Sequence, residues 1–111
     1  STSDKISMKQ TTPMSFIERF CSKLHIPQDI IKICTFASMR VHNNNLIPEN
    51  TPQSIAAGII YFVVTLCKVN VIRKDVSIVS DISEVTINKC HKKLLNIKTD
   101  IIPQMILNKY V

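Results

Sequence analysis

Glycine is almost missing: the 111 residues contain one, Gly58. A loop that cradles phosphates needs several glycines at fixed spacing, so nucleotide sites of the Walker and Rossmann kinds are excluded, and most nucleotide-driven chemistry with them. The four cysteines lack pattern. Cys21, Cys34, Cys67 and Cys90 form no C-x-x-C pair, and no histidine stands at zinc spacing beyond the adjacent Cys90-His91. No metal or other cofactor is expected, and each cysteine reads as a small buried apolar residue. Paired carboxylates at catalytic spacing and a Ser-His-Asp set are also lacking, so neither an enzymatic activity nor a small-molecule substrate has residues to rest on. His25 and His42 fall at helix ends and His91 falls inward, as capping or satisfied buried side chains. No apolar run approaches the ~20 residues needed to cross a bilayer, so no membrane role is expected. The polar first twelve residues carry no signal-peptide core, and the chain opens at Ser1 rather than methionine, which reads as a fragment.

What is present is apolar and basic. Hydrophobic residues make up 45%, and fourteen Lys+Arg against eight Asp+Glu leave a net charge of +6. That is too apolar for a disordered basic arm, and the sign favours a polyanionic partner. The length suits one domain with one core.

Residues 1–12 read as a disordered tail. Thr12-Pro13 then offers a capping hydroxyl and a proline at the first helical position, and Phe16, Ile17, Phe20, Cys21 and Leu24 follow at helical spacing, predicting a helix over about 13–24. After Pro27, Ile30, Ile33, Cys34, Ala37 and Val41 form one stripe that should stop at Asn43-Asn44-Asn45, since asparagine competes with helix and tolerates left-handed backbone. Thr51-Pro52 repeats the cap signal. From Ile55 to Cys67 the chain is almost wholly apolar. A helix greasy on every side must be surrounded by others, and Ala56, Ala57 and Gly58 would let them come close. A buried β-strand is the competing reading of Ile59, Ile60, Val63 and Val64, but length and the Thr-Pro start favour helix. A short helix over Asp75–Ser80, a turn at Asp81-Ile82, and a helix from Glu84 to Leu94 capped by Ser83 together predict a helix-turn-helix. Residues 13–95 thus form the core, and 96–111 an extension with a short helix after Pro103.

At 100° per residue, Val85, Asn88, Lys89 and Lys92 share one face of the last long helix, and Ile87, Cys90, His91 and Leu94 the other. The first set suits base edges flanked by phosphates; the second docks the helix. Lys89, Lys92 and Lys93, with Arg73 and Lys74 ahead of the preceding helix, are the candidate phosphate contacts. Between Lys68 and Lys98 seven positive and three negative residues place +4 of the +6, and clustered charge is what counterion release exploits. A merely solvated lysine-rich helix end is the plainer alternative.

Three blocks in order, FIERFCSKLHIPQDIIKICTFA (16–37), NTPQSIAAGIIYF (50–62) and SEVTINKCHKKLL (83–95), resemble the second cyclin-like repeat of the general transcription factor IIB family. The resemblance implies an all-α, cyclin-like bundle of five helices around a buried central one, ending in a helix-turn-helix that enters the DNA major groove. It implies promoter DNA, TATA-binding protein and RNA polymerase as partners, and the nucleus, or a cytoplasmic viral factory, as the place of action. It makes Val85 and Asn88 the base-contacting positions, Val85 against a thymine methyl, and places Thr86 among the DNA-binding residues. The chain differs from the family pattern at Glu49-Asn50, at Asp81 in the turn, and at Asn88, which stands where the family has arginine. Asparagine pairs with adenine where arginine pairs with guanine, so a shift of base preference to A is expected. This divergence suits a viral or protist homologue better than an animal one, with a large DNA virus as the expected source, and a composition leaning to Ile, Lys and Asn suits a host or viral genome poor in G and C. The alternative is a cyclin-like adaptor that binds protein alone.

Overall fold

The computed structural model describes residues 12–110, so the expected tail lies outside the described residues apart from Thr12. Its architecture follows from the apolar run. Helix α3 (Pro52–Leu66) has every residue from Ser54 to Ile60 buried, and Phe62, Val63 and Val64 as well. Such a helix needs neighbours on all sides, and α3 packs against α1 (Pro13–Lys23), α2 (Gln28–Asn43), α4 (Arg73–Ser80) and α5 (Glu84–Asn96). Two short helices, α6 (Lys98–Ile101) and α7 (Gln104–Tyr110), complete the order, and no strand occurs among the described residues. The fold is all-α and cyclin-like, and the competing strand reading of 55–67 is excluded.

Local chemistry sets the boundaries. Helix α3 starts with Pro52 in its first turn, and the Thr51 hydroxyl accepts the Ser54 amide at 3.2 Å. At α1 the expected cap is different: the Thr12 hydroxyl caps nothing, and its carbonyl instead accepts from the Ser15 amide (3.1 Å) and hydroxyl (2.7 Å). Proline already removes one orphan donor there, and Ser15 serves its own turn. Helix α2 ends at Asn43, and Asn45 takes φ 49°, so the asparagine run stops the helix through a left-handed residue.

The lone glycine sits where helices cross. A Cβ on Gly58 would collide with Cys90 Sγ and lie 2.7 Å from Cys90 Cβ, so α5 approaches α3 closely enough that no side chain fits between. Beyond α5, buried Ile101, Ile102 and Leu107 tie the C-terminal segment to the core, and α6 packs on α2, where Arg40 Nε donates to the Asp100 carbonyl at 3.1 Å.

Candidate nucleic-acid interface

Helices α4 and α5 pack on one another across a tight turn. Asp81 caps α4 with φ 60° and ψ 32°, a left-handed conformation that aspartate accepts because its short side chain relieves the strain locally. Three side chains hold the turn in shape. Ser77 Oγ donates to the Ile82 carbonyl and buried Ser80 Oγ to the Val76 carbonyl, each at 2.6 Å, while Gln53 Nε2 reaches from α3 to the Ser80 carbonyl. Ser83 then starts α5, its hydroxyl accepting the Thr86 amide at 3.2 Å. The turn is therefore fastened to the central helix by a side chain outside the helix-turn-helix itself.

Seating of α5 follows its apolar stripe. Ile87, Cys90 and Leu94 are fully buried, on the side that meets α3. His91 is half-buried, its ring edge-on to Tyr61 at 4.9 Å between centroids and tilted to Phe62 at 6.1 Å. Burial, and then the Arg73 charge, hold its pKa below the usual imidazole value. Opposite the stripe, Val85 (64% exposed), Lys89 and Lys92 face solvent together.

The other sequence-nominated residues lie at the flanks. On one, Arg73 in the first turn of α4 pairs with Glu84, Nε to Oε1 at 3.2 Å, and donates from Nη1 to the Asn88 Oδ1 at 3.4 Å. Asn88 is consequently half-buried, with its amide oxygen engaged. On the opposite flank Lys93 Nζ meets Glu49 Oε2 at 2.7 Å and Asn50 Oδ1 at 2.9 Å. The Lys93 ammonium holds the Glu49 carboxyl below the usual range. Thr86 is half-exposed, and its Oγ1 accepts from the Ser83 hydroxyl at 2.9 Å. Lys74 is exposed beside Arg73, on the wall of a shallow 590 Å³ cleft that also includes Tyr61, Lys68, Asn70 and Glu84. The structure thus brings Val85, Lys89 and Lys92 to one open face, and sets Arg73 with Asn88 on one edge and Lys93 on the other.

Gln53, Glu49, Asn50 and Tyr61 were not legible as parts of this site. Lys93 and Asn50 are 43 positions apart, and no local pattern links them. The Glu49-Asn50 pair preceding a Thr-Pro cap was a visible departure from the family pattern, and that was the available signal.

The cysteines are all free and buried. The Cys34 thiol is pushed up by its hydrogen bond with Cys21 and by burial, Cys67 is raised by burial, and burial lifts Cys90 to about 11. In all three, burial favours the neutral thiol over the thiolate. No group of three or more metal-ligating side chains occurs among the described residues, and no helix there is long and apolar enough to cross a membrane.

Comparison with known proteins decides the family. The model of the transcription factor TFIIB repeat matches residues 6–97. The chain belongs to that family. It is 40% identical over 96 residues to transcription initiation factor IIB of Encephalitozoon cuniculi, covering 86% of this chain and 31% of the relative. A putative transcription initiation factor IIB-like protein of Acanthamoeba polyphaga mimivirus is 35% identical over 79 residues, covering 71% of this chain and 17% of that protein. Transcription initiation factor IIB of Dictyostelium discoideum is 30% identical over 98 residues, covering 88% and 30%. The chain therefore spans about a third or less of the relatives it matches. This is a family of transcription factors, not of enzymes.

Proposed function

We propose that this chain is the DNA-gripping repeat of a transcription initiation factor, which lays α5 in the major groove of promoter DNA and helps assemble TATA-binding protein and RNA polymerase there. The observation that carries the reading is the geometry of α5: a helix seated by three fully buried side chains and offering Val85, Lys89 and Lys92 outward. A major groove about 12 Å wide admits such a helix, with its N-terminal residues nearest the bases. Val85 suits a thymine methyl, and Lys89, Lys92 and Lys74 suit phosphates, with Thr86 and Lys93 at the margins. The place of action is a nucleus, or a viral factory if the protein is viral.

Charge sets the magnitude. The Glu84 and Glu49 carboxylates partly neutralise Arg73 and Lys93, leaving Lys68, Lys74, Lys89 and Lys92 as the exposed cations around the helix-turn-helix without an acidic partner among the described residues. Four neutralised phosphates give a log–log salt slope of roughly −3.6. A mobility-shift titration on duplex DNA over a range of salt should show that slope, reduced by about 2 or more in Lys89→Glu/Lys92→Glu. Binding indifferent to both salt and the double substitution would refute the reading.

A protein-only adaptor is the second reading, and one observation favours it. Phe36 and Met39 are each 44% exposed on α2. Phe36 and Ile33 line, with Pro103 and Ile106, an apolar groove of 360 Å³ on the C-terminal segment's side of the molecule. Salt-resistant binding of a polypeptide, unaffected by promoter DNA, would select that reading.

A further inference from the structure

The family resemblance puts Asn88 at the base-reading position on this edge of α5, but its amide oxygen already accepts from Arg73. Arg73 in turn is fixed at two points on successive turns of α5, by Glu84 and by Asn88, while its side chain stays 40% exposed. A guanidinium carries five N–H donors in a planar fork; two are used here, and three remain for a further partner. The first turns of a recognition helix are where base edges are met. Here those turns carry a guanidinium delivered from the neighbouring helix. Glu84 is the residue that aims it, and a carboxylate at that point also disfavours a phosphate in the same place, because two anions would share one cation.

We infer that Arg73, steered by Glu84 and Asn88, is the base-reading residue on this edge and that it selects guanine through O6 and N7. The assignment deepens the DNA-binding reading and depends on it. It reverses the preference for adenine that Asn88 alone would give, because the Asn88 amide serves as a positioning group for the arginine. Lysine keeps the charge of Arg73 but lacks the fork, so it separates base reading from phosphate neutralisation.

The test is a selection on randomised duplexes with the whole chain, followed by four probes differing at the one base pair whose identity responds to changes at positions 73 and 88. Wild type should favour guanine there by about 5- to 150-fold, the discrimination of one good bidentate pair. Arg73→Lys should flatten that ranking while its mean affinity over the four probes changes by a few-fold at most. Asn88→Ala should lower the preference partly, and Glu84→Gln should keep binding but broaden the ranking. Circular dichroism on each variant excludes unfolding as the cause. A guanine preference that survives Arg73→Lys, a uniform loss on all four probes, or an adenine preference abolished by Asn88→Ala overturns the assignment and leaves the DNA-binding reading standing. Absence of salt-dependent duplex binding in wild type overturns both.

Discussion

Gly58→Ala adds one methyl group at the crossing of α3 and α5, and its cost can be worked from the structure. The new Cβ would overlap Cys90 Sγ, fall 2.7 Å from Cys90 Cβ, and touch Leu94 Cδ1 at an ordinary 3.7 Å. Rotating the Cys90 thiol is no escape, because the side chain is fully buried among core atoms, and Cβ moves only with its helix backbone. Helix α5 must therefore shift. Overpacking a dense core costs typically 1–3 kcal/mol, and a contact with a backbone-fixed carbon belongs at the upper end, about 3. Against this, alanine is the better helix former by about 1 kcal/mol at an interior position. The net destabilisation is about 2 kcal/mol, a loss of roughly 8 °C or more in Tm for a domain of this size.

Thermal and urea melts followed by circular dichroism measure that loss, and a second substitution isolates its cause. Cys90→Ala in the wild-type background removes a fully buried sulfur and should destabilise by about 1 kcal/mol. In the Gly58→Ala background the same change removes the nearest clashing atom, so it should cost less or even stabilise. The two effects are then non-additive, as expected of residues in direct contact. Gly58→Ala as stable as wild type, or additive with Cys90→Ala, would show that the helices do not approach as closely as described.

Removing the α5 cap with Ser83→Ala should cost about 1 kcal/mol in a urea melt, because the Thr86 amide loses its acceptor; no change would mean that water replaces the hydroxyl without loss. His91 makes stability depend on pH. Its folded pKa lies below the ordinary 6.5, so the unfolded chain takes up the proton first, and stability falls as pH drops through 6.5 until the folded value is reached. Urea melts between pH 7.5 and 5 should show this fall, and His91→Gln should remove the part due to this ring; an unchanged profile in the variant would assign the fall elsewhere.

The fold was legible because its signals were local. A Thr-Pro start, a run of asparagines and a thirteen-residue apolar stretch each act within a few positions, so α2, α3 and the turn at Asp81 could be placed from the chain alone. The buried side of α5 was legible for the same reason: Ile87, Cys90 and Leu94 obey one helical period. What the period could not supply was the lateral surroundings of the exposed side. Asn88 and Lys92 differ by four positions and look equivalent on a wheel, yet Asn88 lies under a guanidinium from α4 while Lys92 is open. Lys93 looks like a third free cation, yet a carboxylate from the α2–α3 connection reaches it across the fold. Both differences arise from pairs of residues distant in sequence. They matter more than the net charge does, because a partner meets the cations that remain after internal pairing. The +4 counted between Lys68 and Lys98 therefore overstates what α5 presents: a narrow strip of Val85, Lys89 and Lys92, bordered by two ion pairs that fix where the strip begins and ends.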